Sequence, residues 1–261
     1  MYKKVIWPLL FVGALALSIL FVSGFVASIV ISRSEENVYT EDPMQDSITT
    51  PEEDLIPADP SDILILGDSI GFGFGDEENL GIGERYLNLM TDEDADEKTL
   101  TNISVPGYDS NQLAALIESG EHNSSIKSAQ LIIISIGGND LNRLEYEDNL
   151  TLTLAFEEAL NTYKENLDFT VREIRSINPD AQLALIGLYN PYSQEELQNT
   201  RLVLKWNYET RLIVASDINF AYIPTYELFQ YHLNDYLSLD EFHPNSAGYQ
   251  IIAEALYRIL N

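Results

Sequence analysis

Residues 64 to 76 read LILGDSIGFGFGD, an apolar run that ends in an acid, a serine and three alternating glycines. Residues of these types can do one of two things at the end of a strand. Glycines can open backbone N–H groups toward a phosphate, or a tight turn can present the Ser69 hydroxyl as a nucleophile. The spacing argues against phosphate. A phosphate loop requires G-x-x-x-x-G-K-[ST] and a dinucleotide turn requires G-x-G-x-x-G. Here Gly71, Gly73 and Gly75 alternate strictly and run into Asp76-Glu77-Glu78, which would repel an anion.

Gly67-Asp68-Ser69-Ile70-Gly71 does match the nucleophile elbow G-x-S-x-G. In the α/β-hydrolases, part of the oxyanion hole lies on a loop upstream of that strand. Upstream of residue 64 this sequence offers only a polar spacer and an apolar segment, so the match reads as accidental. The partners of Ser69 must then lie downstream, and three places supply suitable groups. These are Asn102-Ile103-Ser104-Val105-Pro106-Gly107, Gly137-Gly138-Asn139-Asp140 and Asp240-Glu241-Phe242-His243.

Each of these stretches follows a short apolar run or precedes a helix. From residue 61 onward, DILILGD, TLTNISV, AQLIIISIG, DAQLALIGLY and NFAYIPT alternate with longer segments of helical spacing. That alternation predicts βαβ units: five strands in a buried, mostly parallel sheet with helices on both faces. In an open parallel sheet the strand ends share one edge, where ligands bind, so remote segments can converge on one cleft. The last helix is expected to begin near Asn245-Ser246 and to bury Ile252, Leu256 and Ile259.

With these blocks in order, the sequence resembles the SGNH, or GDSL-type, hydrolase family: Gly67-Asp68-Ser69-Ile70, Gly107, Gly137-Gly138-Asn139-Asp140, and the terminal D-x-x-H of Asp240 and His243. The likeness spans residues 61–261. One departure is Gly71, where many members carry threonine, which leaves the local pocket shape open. The resemblance implies a flavodoxin-like three-layer α/β/α sandwich and a carboxylic ester hydrolase that needs neither cofactor nor metal. It assigns Ser69 as nucleophile, His243 as base and Asp240 as orienter, with the Ser69 and Gly107 backbone N–H groups and the Asn139 amide as oxyanion hole. A carboxylate and an imidazole three residues apart can meet across one turn. Two further readings stay open: acyl transfer to a surface glycan with the same residues, and a non-catalytic tethered binding module.

The expected substrate is a small-molecule, lipid, lysophospholipid or acetylated-glycan ester, with Phe72, Phe74, Tyr108, Tyr189 and Tyr192 as candidate lining of an acyl site. Forty-two acidic against 14 basic residues, a net charge of −28, exclude nucleic acid as a partner. There is no cysteine, hence no disulfide and no thiolate chemistry. Asp92-Glu93-Asp94-Ala95-Asp96 imitates the start of a calcium loop. Glu97 replaces its glycine, however, and Ile103 stands at its last ligand position, so no metal is expected. The sequons at Asn102, Asn123 and Asn149 carry no weight in a chain whose leader looks bacterial.

Lys3 and Lys4 precede an uncharged run from Val5 to Ile31, long enough to cross a bilayer. The expectation is a cytoplasmic stub and transmembrane anchor over residues 1–31, an acidic, proline-containing spacer over 32–60, and the folded domain over 61–261. That arrangement places the domain outside the cell membrane; secretion after signal cleavage is the alternative. Oligomeric state is left open.

Overall fold

The computed structural model of the 261-residue chain describes residues 62–90, 98–145, 147–192 and 197–261. The predicted anchor, the spacer and the calcium-like segment lie outside these. Among the described residues, no helix is long and apolar enough to cross a membrane.

Five strands form one sheet: β1 (Asp62–Gly67), β2 (Thr99–Asn102), β3 (Leu131–Ser135), β4 (Gln182–Ile186) and β5 (Phe220–Ile223). They lie in the order β2-β1-β3-β4-β5, and every pairing is parallel. Side chains alternate between faces, so the near-continuous apolar runs serve two cores. Leu64, Leu66, Ile132 and Ile134 pack on one face against α3 (Ser110–Glu118), α4 (Asn123–Ser128), α6 (Asn149–Ile177) and α7 (Leu197–Val214). Ile63, Ile65, Leu131 and Ile133 pack on the other against α2 (Gly81–Leu89), α8 (Tyr226–Phe229) and α10 (Ser246–Leu260). The expected three-layer α/β/α fold is the one observed.

Three short helices complete the order: α1 (Ser69–Phe72), α5 (Gly138–Asn142) and α9 (Leu233–Tyr236). Helix α10 starts as expected, with the Asn245 side chain accepting from Gly248 N. Ile252 and Leu256 are buried, but Ile259 is exposed, and Leu260 packs on the core in its place.

In this strand order the chain reverses direction between β1 and β3, and the crevice beyond their carboxyl ends is where such sheets bind ligands. Ser69 follows β1 and Asn139 follows β3, so both stand at that switch point.

Candidate active site

The turn after β1 is set by its contact with β3. Gly67 has φ of +135°, and a Cβ there would lie 1.8 Å from the Ser135 carbonyl oxygen, so only glycine allows the two strand ends to meet. Asp68 N donates to that same oxygen at 2.9 Å, and Ser135 Oγ donates to Asp68 Oδ1 at 2.8 Å. Asp68 also caps α1, accepting from Ile70 N at 3.0 Å. Burial pushes the Asp68 carboxyl up to about 6 against the pull of these hydrogen bonds. Ser69 thus becomes the first residue of a four-residue helix, with its N–H among those a helix leaves without an internal partner.

Ser69 is 8% exposed, more enclosed than its place in a glycine-rich turn suggests. Its hydroxyl lies 2.9 Å from His243 Nε2. His243 Nδ1 lies 2.6 Å from Asp240 Oδ2, across the i to i+3 turn that the sequence spacing anticipates. The other Asp240 oxygen accepts from Ser238 Oγ and from the backbone N–H groups of Phe242 and His243 at 2.8–2.9 Å. Desolvation alone would raise the Asp240 carboxyl. The hydrogen bonds from His243, Ser238 and Phe242 outweigh it and hold the group well below the usual carboxylate range.

The glycines have a packing role that sequence reading missed. Gly73 and Gly75 both have φ of +91°, and a Cβ on Gly75 would lie 2.9 Å from His243 Cβ and 2.8 Å from the Pro244 oxygen. The loop therefore lies flat against the histidine segment, and the Phe74 ring packs on the imidazole with centroids 4.6 Å apart. Next along, Asp76 accepts from Arg85 Nη2 at 2.8 Å and from Ser246 Oγ at 2.7 Å, while Glu77 accepts from Ser246 N at 2.9 Å. The acidic run that would repel phosphate instead ties the serine loop to the start of α10.

Gly107 is the third residue of a turn, Val105-Pro106-Gly107-Tyr108, closed by Tyr108 N donating to Val105 O at 3.1 Å. Its φ of +87° after a proline is the signature of a type II turn. Helix α5 grips this segment: Asn139 Nδ2 donates to Tyr108 O at 2.8 Å, Arg143 Nη2 donates to Gly107 O at 2.6 Å, and Asp140 accepts from Ser110 N and from the Ser110 hydroxyl. An amide carries two N–H donors, so the bond to Tyr108 occupies one of them. The Gly71 departure is matched locally, because a Cβ there would lie 2.5 Å from Ser104 Oγ; the serine fills the space a larger residue would need.

Ser69 and Asn139 line a cavity of about 220 Å³ together with Asp68, Ser135, Tyr189 and Tyr192. Gly107 stands outside that lining, beside Asn139 through the α5 contacts. Of the five aromatics expected in an acyl site, Tyr189 and Tyr192 line the cavity. Phe72 is exposed, Phe74 covers His243, and Tyr108 packs against the core. Among the described residues, no group of acidic or histidine side chains is arranged to hold a metal ion.

A serine hydroxyl bonded to an imidazole that is bonded in turn to a carboxylate thus stands at the switch point of a parallel sheet, where such sheets bind ligands. The model of the GDSL-like Lipase/Acylhydrolase family matches residues 65–251, and the chain belongs to that family. Among its relatives is the spore germination lipase LipC of Bacillus licheniformis, 28% identical over 198 residues, which span 73% of this chain and 92% of LipC. The protein YpmR of Bacillus subtilis (strain 168) is 28% identical over 205 residues, 76% of this chain and 80% of YpmR. The crystal structure of the lipase Lip_vut3 from a goat rumen metagenome superposes with a TM-score of 0.66 at 27% identity, covering 76% of this chain and 96% of that one. The protein is a carboxylic ester hydrolase of this family.

Proposed function

We propose that Ser69 is the nucleophile of this ester hydrolase, His243 its general base and Asp240 the group that orients the imidazole. The observation that carries this reading is the unbroken hydrogen-bonded line from Asp240 through His243 to the Ser69 hydroxyl. Ser69 Oγ attacks the ester carbonyl carbon while its proton passes to His243 Nε2. The Asp240 carboxylate, held ionised, stabilises the imidazolium that results. The leaving alcohol takes that proton as the carbon–oxygen bond breaks, and the acyl group remains on Ser69. Water, deprotonated by the same imidazole, releases the carboxylic acid and restores the serine.

The oxyanion hole of this reading comprises the Ser69 and Gly107 N–H groups and the Asn139 amide. Its support is that all three lie on backbone held rigidly: a capped helix start, a proline-glycine turn, and an α5 helix bonded to that turn. Donors fixed in advance need no reorganisation when charge develops on the carbonyl oxygen.

Replacing Ser69 by alanine should abolish hydrolysis of p-nitrophenyl butyrate with no loss of thermal stability, and a fluorophosphonate should label the native chain at Ser69 but not the variant. Undiminished turnover in the variant overturns the assignment. The location belongs to the same proposal: an anchor over residues 1–31 and a spacer over 32–60 holding the domain outside the membrane, supported by Lys3, Lys4 and the apolar run that follows. Carbonate-washed membranes should retain the protein, and protease added to intact cells should digest the domain; release by the wash, or protection from protease, counts against it.

A further inference from the structure

Away from the β1 and β3 ends, the lining of the cavity beside Ser69 is mostly apolar, with Asn142 and Asn199 among its polar members there. Leu141 and Leu144 approach it from α5 and the segment after it, Leu152 from the first turn of α6, Leu188 from beyond β4, and Leu202 and Val203 from α7. These branched side chains come from four separate parts of the fold, so the lining is a feature of the tertiary structure and of no single motif. An acetyl group bound to Ser69 would extend one methyl toward a space of about 220 Å³ and leave most of that lining uncovered. Against the leucine and valine surface, water finds few of the two to four polar partners it needs.

We infer that this cavity seats an aliphatic acyl chain, so that the substrate class is esters of medium-chain fatty acids rather than acetyl esters. The inference rests on the serine-esterase reading above and specifies which acyl group that site takes. The carbonyl sits between Ser69 and Asn139, and the chain runs past Leu188 into the space between α6 and α7. Tyr192, whose hydroxyl lies 3.4 Å from Asn142 Oδ1, stands at the exposed side of the same cavity. Asp68, Ser69, Ser135 and Asn139 are the polar lining at the β1 and β3 ends, Asn142 and Asn199 are among its other polar members, and leucine and valine are left to meet the methylenes.

The test uses the full-length chain and two ester series. In the first, the p-nitrophenyl leaving group is fixed and the acyl chain grows from acetate to octanoate; kcat/KM should rise about fourfold per added methylene until the cavity is filled. In the second, acetate is fixed and the alcohol chain grows; this series should stay flat. Val203→Phe, which puts a ring into the cavity, should lower the octanoate-to-acetate ratio of kcat/KM by about tenfold or more. Should that variant fail to fold, Leu144→Trp, at a partly exposed position, makes the same measurement. A flat acyl series, a dependence on the alcohol chain instead, or an unchanged ratio in the folded variant overturns the inference while leaving esterase activity in place. Loss of the esterase reading itself would be seen separately, as undiminished hydrolysis by Ser69→Ala.

Discussion

Gly75→Ala separates the two things a glycine can do at this site. The residue has φ of +91°, where a side chain costs about 1–2 kcal/mol. For a domain of this size that lowers the melting temperature by about 2–8 °C. The new methyl would also lie 2.9 Å from His243 Cβ and 2.8 Å from the Pro244 oxygen. The histidine segment must then retreat by roughly half an ångström to reach ordinary contact distance. That retreat stretches the 2.9 Å bond between His243 Nε2 and Ser69 Oγ past the range of a good hydrogen bond. A misplacement of about 1 Å at a reacting centre costs about 10²-fold, so kcat should fall by roughly ten- to a hundredfold with KM little changed. Gly120→Ala is the control. Its φ is +72°, so the backbone penalty is similar, but its methyl would meet only the Asn123 side chain at 3.2 Å, on the loop leading to α4. Thermal melts and p-nitrophenyl butyrate kinetics on both variants read the two effects apart. If both lose stability and Gly75→Ala loses no more activity than Gly120→Ala, the claim that the glycine loop positions His243 is wrong.

Asn139→Ala should lower kcat by about 10²–10³ with KM nearly constant, as measured by steady-state kinetics; an unchanged kcat removes the amide from the oxyanion hole. Asp68 gives stability an unusual pH dependence. Because its folded carboxyl titrates near 6, above its ordinary value, the native state holds a proton the unfolded chain has released, and stability falls as pH rises from about 4 to about 6. The loss approaches 3 kcal/mol in order of magnitude. Asp140, raised by burial as well, adds to it in the same direction. Asp68→Asn keeps an oxygen for Ser135 and Ile70, so urea unfolding should show it gaining on the native chain as pH rises through that window; parallel curves would refute the assignment. Ser246→Ala cuts the hydroxyl link from α10 to Asp76 and Glu77 and should cost about 1–3 kcal/mol of stability, which Ser246→Thr restores.

Local sequence carried the elements that repeat a short-range rule. Apolar runs gave the five strands, Asn245 gave the start of α10, and the D-x-x-H spacing anticipated the Asp240–His243 contact. The motif blocks around Ser69 and Asn139 also located the switch point, because these two follow β1 and β3, while the Asp240–His243 block reaches it from the start of α10. What escaped depends on residues distant in the chain. Gly75 reads as backbone freedom until His243 is seen against it, and Asp76 reads as an exposed acid until Arg85 and Ser246 are seen to bury it. The cavity escaped for the same reason: Leu144, Leu152 and Val203 follow ordinary core spacing, and only the packing of α5, α6 and α7 leaves space between them. Phe72 and Phe74 seemed suited to an acyl site by their nearness to Ser69, but Phe72, at the end of α1, is exposed to solvent, and Phe74, past the turn, packs on His243.

Ser69 and His243 lie 174 positions apart, almost the whole length of the folded domain. The serine loop and the histidine segment therefore meet through α10, whose first residue Ser246 bonds to Asp76 and Glu77 of that loop. His243 itself stands just before α10, whose Tyr249, Ile252 and Leu256 are buried in the same core as Ile63 and Ile65 of β1. The two halves of this contact are thus brought together by the fold of the whole domain and by no local stretch of chain.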